Sequence, residues 1–423
     1  MSSECREIIL ATVDPERLDE LTIVAHKIRE LGYQAVAKLV PSLEPAALER
    51  SLSPLCPPRE CCVIVPGGSP WSYDGLKRIT VLKGTYSPRV LPVLLGIYGS
   101  APLDPRLPAE KALGDKMSRV VEEVLCNIQA SLKEPIPVRP PPVLVASEVY
   151  VDKYCNVDEA LDEASVRLDE GADILVLASS KTGGFSSTLL LEATRKAAAR
   201  GLARLLAVDP ADRSLLPRLS RHVDILMSLW GWEAEEKRLS WARGKYLVVI
   251  EPRGPEFLAK TCRVVSENGV IPILDPLLRP PGSGGWLEPL ASLRASRERG
   301  MNCPALAGIN NVYEMVDADT NGSIAVLVLA AAEAGASIVL VSEESGKSMG
   351  ATMEAKAAAA MANYSLATGS PPKDLGFSLL RAKCKKLGAS ESPRDKRDAL
   401  LKEAQCAPPL TPGRILKPCK GRS

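Results

Sequence analysis

The feature that most constrains this chain is a unit of strand, turn and helix that recurs eight times between Val143 and about Ala367. Each repeat spans about 28 residues, which is the length that a βα unit needs. Several helical segments end at a glycine just before the next strand, as is common because glycine adopts a left-handed backbone at least cost. The sequence therefore predicts a closed (β/α)8 TIM barrel. An open doubly wound sheet is the competing fold.

The predicted barrel strands are aliphatic and β-branched, and amphipathic segments separate them. The strands are 143–149, 173–178, 203–208, 223–228, 246–250, 270–274, 305–309 and 337–341. The helices include 158–170, 188–200, 256–268, 314–334 and 351–365.

A small α/β domain of the Rossmann or flavodoxin type is predicted before the barrel, because strands at 7–13, 33–40 and 61–65 alternate with helices at 15–31, 45–52 and 110–132. Five prolines between 135 and 142 indicate a stiff linker. The predicted domains are therefore 1–134, the linker 135–142, the barrel 143–368 and a C-terminal extension 369–423. In the extension, 377–382 resembles a strand, and the part from about Ser390 is expected to be poorly ordered.

Charge and composition exclude several classes of partner. Lys+Arg 53 against Asp+Glu 51 gives a net charge of +2, without the basic, aromatic-interleaved patch that nucleic acid needs. The sequence has no apolar run long enough for a signal peptide or a membrane span, so we expect a cytoplasmic protein. Its eleven cysteines are scattered without a C-x-x-C pair, so they are expected to be thiols in a reducing compartment.

Polar residues that follow the barrel strands are the candidates for a site, because ligands bind at that end of this fold. Asp209 follows the third strand and Asp275 the sixth, while Glu148 and Ser228 end the first and fourth. Two carboxylates in a barrel opening can accept paired N–H bonds from the amidine-like edge of a pterin or guanine. Alternatively, each aspartate only caps the turn after it, since Asp-Pro often starts a turn.

The segment after the seventh strand is unusually polar. Asn310 and Asn311 can both donate and accept hydrogen bonds, as recognition of a heterocycle requires. Asp317 and Asp319 suit a divalent cation such as Mg2+, although capping the next helix is the more common use of such residues.

The loop after the eighth strand places Gly346, Lys347 and Ser348 at a helix start, where backbone N–H groups and one ammonium suit a phosphate or pyrophosphate. The spacing is not that of a Walker A loop, and a solvated turn is the alternative. A glycine-rich loop at 65–75 is either a ligand loop or a plain tight turn. Neither histidine, His26 or His222, follows a predicted strand, so histidine catalysis is not expected.

Several motifs resemble the archaeal dihydropteroate synthase-related proteins, in which a small α/β domain precedes a pterin-binding barrel. The motifs EGADILVL at 170–177, AVDP at 207–210 and PILDP at 272–276 look like parts of dihydropteroate synthases. The runs NNVYEMVDADT at 310–320 and GKSMG at 346–350 look like parts peculiar to the archaeal group. VPGG at 65–68 with LKGTY at 82–86 is similar to its first domain, and PKDLGF at 372–377 to its C-terminal piece.

The resemblance implies a pterin ring held by Asp209 and Asp275, with its pyrophosphate near Lys347. It also implies a transferase that joins a hydroxymethyl-dihydropterin diphosphate to an arylamine, in folate or tetrahydromethanopterin biosynthesis. Asn310 and Asn311 stand where the family has a Ser-Arg-Lys-type segment, and the segments after strands 1 and 8 also depart from its pattern. A pterin-binding protein without turnover or with a methyl-transfer role, and a scaffold with a vestigial site, remain as alternatives. A homodimer is left open.

Overall fold

The computed structural model describes residues 5–56, 61–180, 182, 184–236 and 239–380. They fall into two compact units. The first comprises the described residues up to Ala130 together with Tyr364–Ser378, and the second comprises those of Ser131–Asn363 and continues from Leu379. The predicted linker lies in the second unit. Residues 377–380 are not in a strand, and the rest of the predicted strand 377–382 and the tail from Ser390 lie outside the described residues.

The first unit contains a four-stranded parallel sheet in the order β2-β1-β3-β4. Its strands are β1 (Glu7–Thr12), β2 (Gln34–Leu39), β3 (Cys61–Val65) and β4 (Thr80–Lys83). Its helices are α1 (Leu18–Glu30), α2 (Pro45–Leu52), α3 (Leu91–Tyr98), α4 (Ala109–Leu113) and α5 (Met117–Ala130). This sheet confirms the predicted small α/β domain.

The structure of this unit differs from the prediction in two ways. Strand β4 has only four residues, and α3 is almost wholly apolar, so neither produces a clear periodic pattern. The predicted helix 110–132 is divided at Gly114, whose φ of +55° is incompatible with a continuous α-helix.

The second unit is a barrel of eight parallel strands, which confirms the predicted TIM barrel. Its strands run in the order β10-β9-β8-β7-β6-β5-β12-β11, and a parallel bridge between Leu274 and Ala305 joins the two ends. The strands are β5 (Leu144–Tyr150), β6 (Ile174–Ala178), β7 (Leu206–Asp209), β8 (Ile225–Trp230), β9 (Tyr246–Ile250), β10 (Ile271–Asp275), β11 (Leu306–Gly308) and β12 (Ile338–Ser342).

The barrel helices lie between these strands and after the last one. They are α6 (Val157–Asp169), α7 (Gly184–Arg200), α8 (Leu216–Leu219), α9 (Gly231–Glu236), α10 (Pro255–Glu267), α11 (Leu287–Glu298), α12 (Asn310–Tyr313), α13 (Thr320–Ala334) and α14 (Ala351–Thr368). The predicted helix 314–334 starts only at Thr320, because a turn separates it from the short α12. Gly335 ends α13 in the left-handed conformation, as its position before a strand predicts.

Alternation along the strands builds the barrel core. Side chains two residues apart point to the same face of a strand, so Leu144 and Ala146 both enter the interior. They pack with inward residues of the other strands, including Val176, Ala207 and Ile273. The interior is therefore a packed apolar cluster, and the next inward position along each strand lies at the carboxyl end of the barrel.

Three disulfides lie wholly within the described residues, so the expectation of thiols in a reducing compartment is wrong for their six cysteines. The disulfides join Cys5 to Cys62, Cys56 to Cys61 and Cys262 to Cys303, with Cα–Cα distances of 5.6, 5.2 and 6.1 Å. These distances suit a disulfide. The first and third pairs are 57 and 41 residues apart in sequence, so only the tertiary structure brings their cysteines together, whereas Cys56 and Cys61 are 5 residues apart. Among the described cysteines, Cys155 is free and exposed.

None of the helices in the described ranges combines the length and the apolar character needed to cross a membrane.

Candidate functional site

Three carboxyl groups converge at the carboxyl end of the barrel, which we call the mouth. Glu148 follows Leu144 and Ala146 at every second position of β5, and Asp209 and Asp275 follow Ala207 and Ile273 in the same way. Alternation therefore points all three side chains inward. Glu148 and Asp275 are only 5% and 7% exposed, whereas Asp209 is half-buried. The structure thus brings Glu148 together with Asp209 and Asp275, and all three are among the site candidates named from the sequence.

The carboxyl groups influence one another's protonation. Burial, and then the charge of Asp209, raise the pKa of Glu148 to about 8. Burial raises the pKa of Asp275 to about 7, and Asp209 adds to this rise. Burial raises the pKa of Asp209 itself to about 6. The hydrogen bond from Ser228 and the charge of Arg213 both lower this pKa, but by less than burial raises it. Near neutral pH the three carboxyl groups therefore include both protonated ones, which can donate a hydrogen bond, and ionised ones, which only accept.

Ser228 is held in a strained backbone conformation next to Asp209. Its φ is +70°, in the left-handed region that a non-glycine residue rarely adopts, and it lies where the pairing of β8 with β9 shifts register. From this position its Oγ donates a hydrogen bond to Oδ2 of Asp209 at 2.8 Å. Strain of this kind collects at functional sites, where the surrounding structure maintains it.

A second left-handed residue holds Asp275. Leu277 has a φ of +63°, and its N–H donates to Oδ1 of Asp275 at 2.7 Å. Asp275 therefore does cap its own turn, as the alternative interpretation predicted, while its side chain still faces the interior. Asp209 bonds to the side chain of Ser228 on the next strand instead. Among the residues that the structure describes, three non-glycine residues have positive φ, and these two contact the aspartate pair.

Glu148 is tied to the rim of the mouth. The phenol of Tyr150 hydrogen-bonds to Glu148, and burial followed by the charge of Glu148 raises the pKa of Tyr150. The ammonium of Lys153 lies 4.9 Å from the centre of the Tyr150 ring and forms an ion pair of 2.7 Å with Glu344. Tyr150 therefore stays protonated and donates to Glu148.

An aromatic pair at the carboxyl end of β8 was not predicted from the sequence. Trp230 and Trp232 stack with centroids 4.7 Å apart, and Trp232 is 43% exposed. Arg213 lies 5.8 Å from the centre of a Trp230 ring and 3.2 Å from Glu233. The signal was present, because two tryptophans after a strand are conspicuous in a chain with 4% aromatic residues. Stacked indoles of this kind provide a flat apolar surface beside the acidic groups.

Asn310 and Asn311 follow β11 at the start of α12. Asn310 is 8% exposed and its Oδ1 has no hydrogen-bond partner among the described residues, whereas Asn311 is exposed. A Cβ on Gly308 would lie 3.1 Å from Nδ2 of Asn311 and 3.4 Å from Oδ1 of Asn310, so this glycine makes room for both amides. A buried amide oxygen without a partner is costly, which marks Asn310 as a group that a ligand can satisfy.

The ammonium group predicted to bind phosphate already has protein partners. Lys347 donates from Nζ to the carbonyl oxygens of Glu314 and Val316 at 2.8 and 2.6 Å. Ser348 is fully buried, and its Oγ bonds within its own turn to Ser345. Gly346 lies in the same turn, with open space beside its Cα.

A carboxylate occupies the N-terminus of the last barrel helix. Glu343 accepts the N–H groups of Gly350 and Thr352 at 2.7 and 2.9 Å, and it forms an ion pair of 3.0 Å with Arg167. The side chain of Arg167 is 9% exposed and that of Glu343 is 3% exposed. The N–H groups at the start of α14 therefore already bind an anion that the chain supplies, and Gly346, Lys347 and Ser348 lie in the turn before this helix instead of at its start.

Asp317 and Asp319 are exposed and lie in the turn before α13. Asp319 immediately precedes the helix, but its side chain makes no capping hydrogen bond to the described residues of that helix. Within the described ranges, no three or more His, Cys, Asp or Glu side chains are grouped so as to hold a metal ion.

The arrangement at the mouth favours a flat ligand that is rich in N–H donors. It offers carboxyl acceptors at Asp209 and Asp275, the buried amide oxygen of Asn310 and a stacked indole pair at its rim. Ionised carboxylates form the stronger, charge-assisted hydrogen bonds, and a planar amidine-like edge can donate two of them in parallel.

Comparison with known proteins gives similarity without a family assignment. No family model matches the chain. An uncharacterized protein of Methanocaldococcus jannaschii is 25% identical over 264 residues, which cover 58% of this chain; the match spans about half of that relative, 49% of its length. Dihydropteroate synthases of Thermus thermophilus and Vibrio fischeri are 21% and 18% identical. Each alignment covers 51% of this chain. It covers 92% of the Thermus thermophilus chain with a TM-score of 0.40, and 91% of the Vibrio fischeri chain with a TM-score of 0.41.

Proposed function

We propose that the barrel binds a pterin and catalyses its transfer, as a dihydropteroate synthase-like enzyme that condenses a hydroxymethyl-dihydropterin diphosphate with an arylamine. The observation that carries the proposal is the inward convergence of Asp209 and Asp275, each held by a residue with a left-handed backbone. Two fixed carboxylates at one end of a barrel match the paired N–H groups of a 2-amino-4-oxo pteridine.

In the proposed reaction the arylamine nitrogen attacks the methylene carbon of the pterin. The new C–N bond forms as the C–O bond to the diphosphate breaks, pyrophosphate leaves with the bonding electrons, and the amine loses a proton. Negative charge at Asp209 and Asp275 would stabilise the positive charge that develops on the pterin ring. The indoles of Trp230 and Trp232 would align a flat reactant beside the ring.

Asn310 and Asn311 would contact the reactants from the turn that follows β11. In this proposal Lys347, with Gly346 and Ser348, binds the pyrophosphate; this requires that its ammonium exchange the carbonyls of Glu314 and Val316 for phosphate oxygens. Mg2+ would accompany the diphosphate and partly neutralise it, with Asp317 and Asp319 as the candidate ligands on the chain.

A second candidate is a protein that binds a reduced pterin without turning it over, or that presents it for methyl transfer. The position of Glu343 favours this candidate, because its carboxylate occupies the helix N-terminus that would otherwise attract a pyrophosphate. The two candidates share the ring pocket and differ in whether pyrophosphate is released.

Calorimetric titration with 6-hydroxymethylpterin tests the ring pocket. Asp209→Asn and Asp275→Asn should each weaken binding by about 1.5–3 kcal/mol, because each loses a charge-assisted hydrogen bond. Asp162→Asn, which changes an exposed aspartate on α6, is the matched control and should bind as the wild type does. Equal affinity in all four proteins would remove the basis of both candidates.

Pyrophosphate release from the pterin diphosphate, with 4-aminobenzoate and Mg2+, separates the candidates. Release by the wild type that is lost in Asp275→Asn supports the transferase. Binding of the pterin without release supports the non-catalytic alternative.

A further inference from the structure

The first unit contains a buried polar cluster that the barrel site does not involve. It comprises Glu110 on α4, Tyr86 shortly after β4, Tyr364 near the end of α14, and Ser370 and Asp374 in the segment after that helix. Glu110, Tyr364 and Ser370 are only 1%, 0% and 3% exposed. Polar side chains this deeply buried normally have partners, so their surroundings indicate what they bind.

Hydrogen bonds between these segments hold the polar cluster together. The backbone N–H of Tyr86 donates to Oε1 of Glu110 at 2.8 Å. The hydroxyl of the next residue, Ser87, donates to the carbonyl oxygen of Thr368. Oγ1 of Thr368 in turn accepts the N–H of Ser370 at 3.1 Å. The segment after β4 therefore joins α4 to the end of α14 within this unit.

The ionisable groups of the polar cluster lie close enough to act on one another. Burial raises the pKa of Glu110 to about 7, and the charge of Asp374 adds to this rise. Burial also raises the pKa of Tyr86, and the charges of Asp374 and Glu110 raise it further. Burial and then the charge of Glu110 raise the pKa of Tyr364, whereas the nearby hydroxyl of Ser370 lowers it. Two carboxyl groups, two phenols and a hydroxyl therefore share one region.

Three buried oxygens of the polar cluster have no partner in hydrogen-bonding geometry among the described residues. They are Oε2 of Glu110, the phenol oxygen of Tyr364 and Oγ of Ser370. Leaving such atoms unsatisfied is costly, so together they mark a place where a ligand can bind. The three atoms come from three parts of the chain, and all are oxygens, which are the ligands that hard cations take.

We propose that the polar cluster binds one Ca2+ ion between the carboxylates of Glu110 and Asp374, with the hydroxyl oxygens of Ser370 and Tyr364 as further ligands. Two carboxylates balance the charge of a divalent cation, and a buried charge is tolerated when it is paired or coordinates a metal. Ca2+ suits the site better than Mg2+, because Mg2+ demands a near-ideal octahedron and usually retains several waters. Buried side chains leave little room for such waters, whereas Ca2+ accepts irregular sets of side-chain and backbone oxygens.

The proposed ion joins α4 to the segment after α14, because Glu110 belongs to the one and Ser370 and Asp374 to the other. The site uses no residue of the barrel mouth. It also differs from the Mg2+ ligands proposed at Asp317 and Asp319, so it does not depend on the proposed reaction.

Calorimetric titration of the whole chain with CaCl2, after dialysis against EDTA, tests the proposal at about pH 8, where Glu110 is largely ionised. The wild type should bind one Ca2+ with a Kd of about 0.1–1 mM, and saturating Ca2+ should raise its Tm. Glu110→Gln and Asp374→Asn should each weaken binding about tenfold or more, because each removes one of the two charged ligands. Asp374 is only half-buried, so Asp374→Asn keeps the test available should Glu110→Gln fail to fold.

Further variants and a second ion locate the site. Ser370→Ala should weaken Ca2+ binding about threefold, and Mg2+ should bind the wild type about tenfold more weakly than Ca2+. Glu16→Gln, at an exposed glutamate of the same unit, is the matched control, and Asp317→Asn is the control in the barrel. Both should bind Ca2+ as the wild type does.

Three results would overturn the proposal. The first is no binding by the folded wild type up to about 10 mM Ca2+. The second is equal affinity in the wild type, Glu110→Gln and Asp374→Asn, because the ion would then lie elsewhere. The third is equal affinity for Mg2+ and Ca2+, which a site with little room for water does not permit.

Discussion

Ser228 donates a hydrogen bond to Asp209 from a backbone conformation that a serine rarely adopts, with φ at +70° and an Oγ–Oδ2 distance of 2.8 Å. The left-handed backbone directs the hydroxyl at a carboxylate on the neighbouring strand. Because burial disfavours the ionised form of Asp209, this hydrogen bond is one of the few effects that favour its charge. The strain at Ser228 thus supports an acceptor at the mouth of the barrel.

Ser228→Ala should raise the pKa of Asp209 further, because it removes a hydrogen bond to the ionised form. Affinity for 6-hydroxymethylpterin should then fall by about 0.5–1.5 kcal/mol near pH 6, with a smaller loss at higher pH, where the carboxylate ionises again. Calorimetry across pH measures both effects. Ser214→Ala is the control, because it removes a hydroxyl from the exposed Asp212, outside the mouth. A uniform loss of affinity at every pH would contradict this role.

Stability should decrease as the pH rises from about 4 to about 8. In the folded chain the pKa values of Glu148, Asp275 and Asp209 are raised to about 8, 7 and 6, from ordinary values of 4.5 for glutamate and 3.8 for aspartate. Between the ordinary and the raised values the folded state binds more protons than the unfolded state, so each rise in pH favours unfolding. At a pH below the ordinary pKa values, the three carboxyl groups make their full contribution to the stability of the folded state. This contribution is lost as the pH rises through their raised pKa values.

Urea denaturation of the wild type and Glu148→Gln checks this prediction. One carboxyl can contribute up to about 1.4 kcal/mol per pH unit, so the variant should show a shallower loss of stability between pH 5 and 8. Glu236→Gln, at an exposed position on α9, should keep the wild-type slope. Identical slopes in all three proteins would mean that Glu148 does not hold a proton in the folded state.

Arg167→Ala should destabilise the barrel by about 3–5 kcal/mol, because it leaves the buried carboxylate of Glu343 without its counter-charge. Glu343→Gln should cost less, since it removes the buried charge and its one amide oxygen can still accept the N–H of either Gly350 or Thr352. The double variant should be more stable than Arg167→Ala alone, and denaturation of the three proteins measures the coupling.

The same substitution tests how the predicted phosphate loop is used. With the negative charge removed, Glu343→Gln should bind inorganic pyrophosphate more tightly than the wild type, because the N-terminus of α14 no longer faces a carboxylate. Adding Lys347→Ala should reverse the gain. Pyrophosphate affinity that is the same in the wild type and in Glu343→Gln would argue that the anion binds elsewhere.

The sequence alone determined the barrel and the direction in which Asp209 and Asp275 point. Both follow from local rules: a βα repeat of fixed length, and a side-chain period of two that continues from Ala207 to Asp209 and from Ile273 to Asp275. Such rules depend on neighbours in the chain, so a pattern of residue types is enough to predict their outcome.

Only the tertiary structure decided what those carboxylates touch. The hydrogen bond from Ser228 to Asp209, the pairing of Cys262 with Cys303, and the ion pair of Glu343 with Arg167 all depend on contacts between segments distant in sequence. A single sequence records which groups are present, but not which of them pair, because hydrogen bonds and ion pairs are chosen by distance in the folded chain.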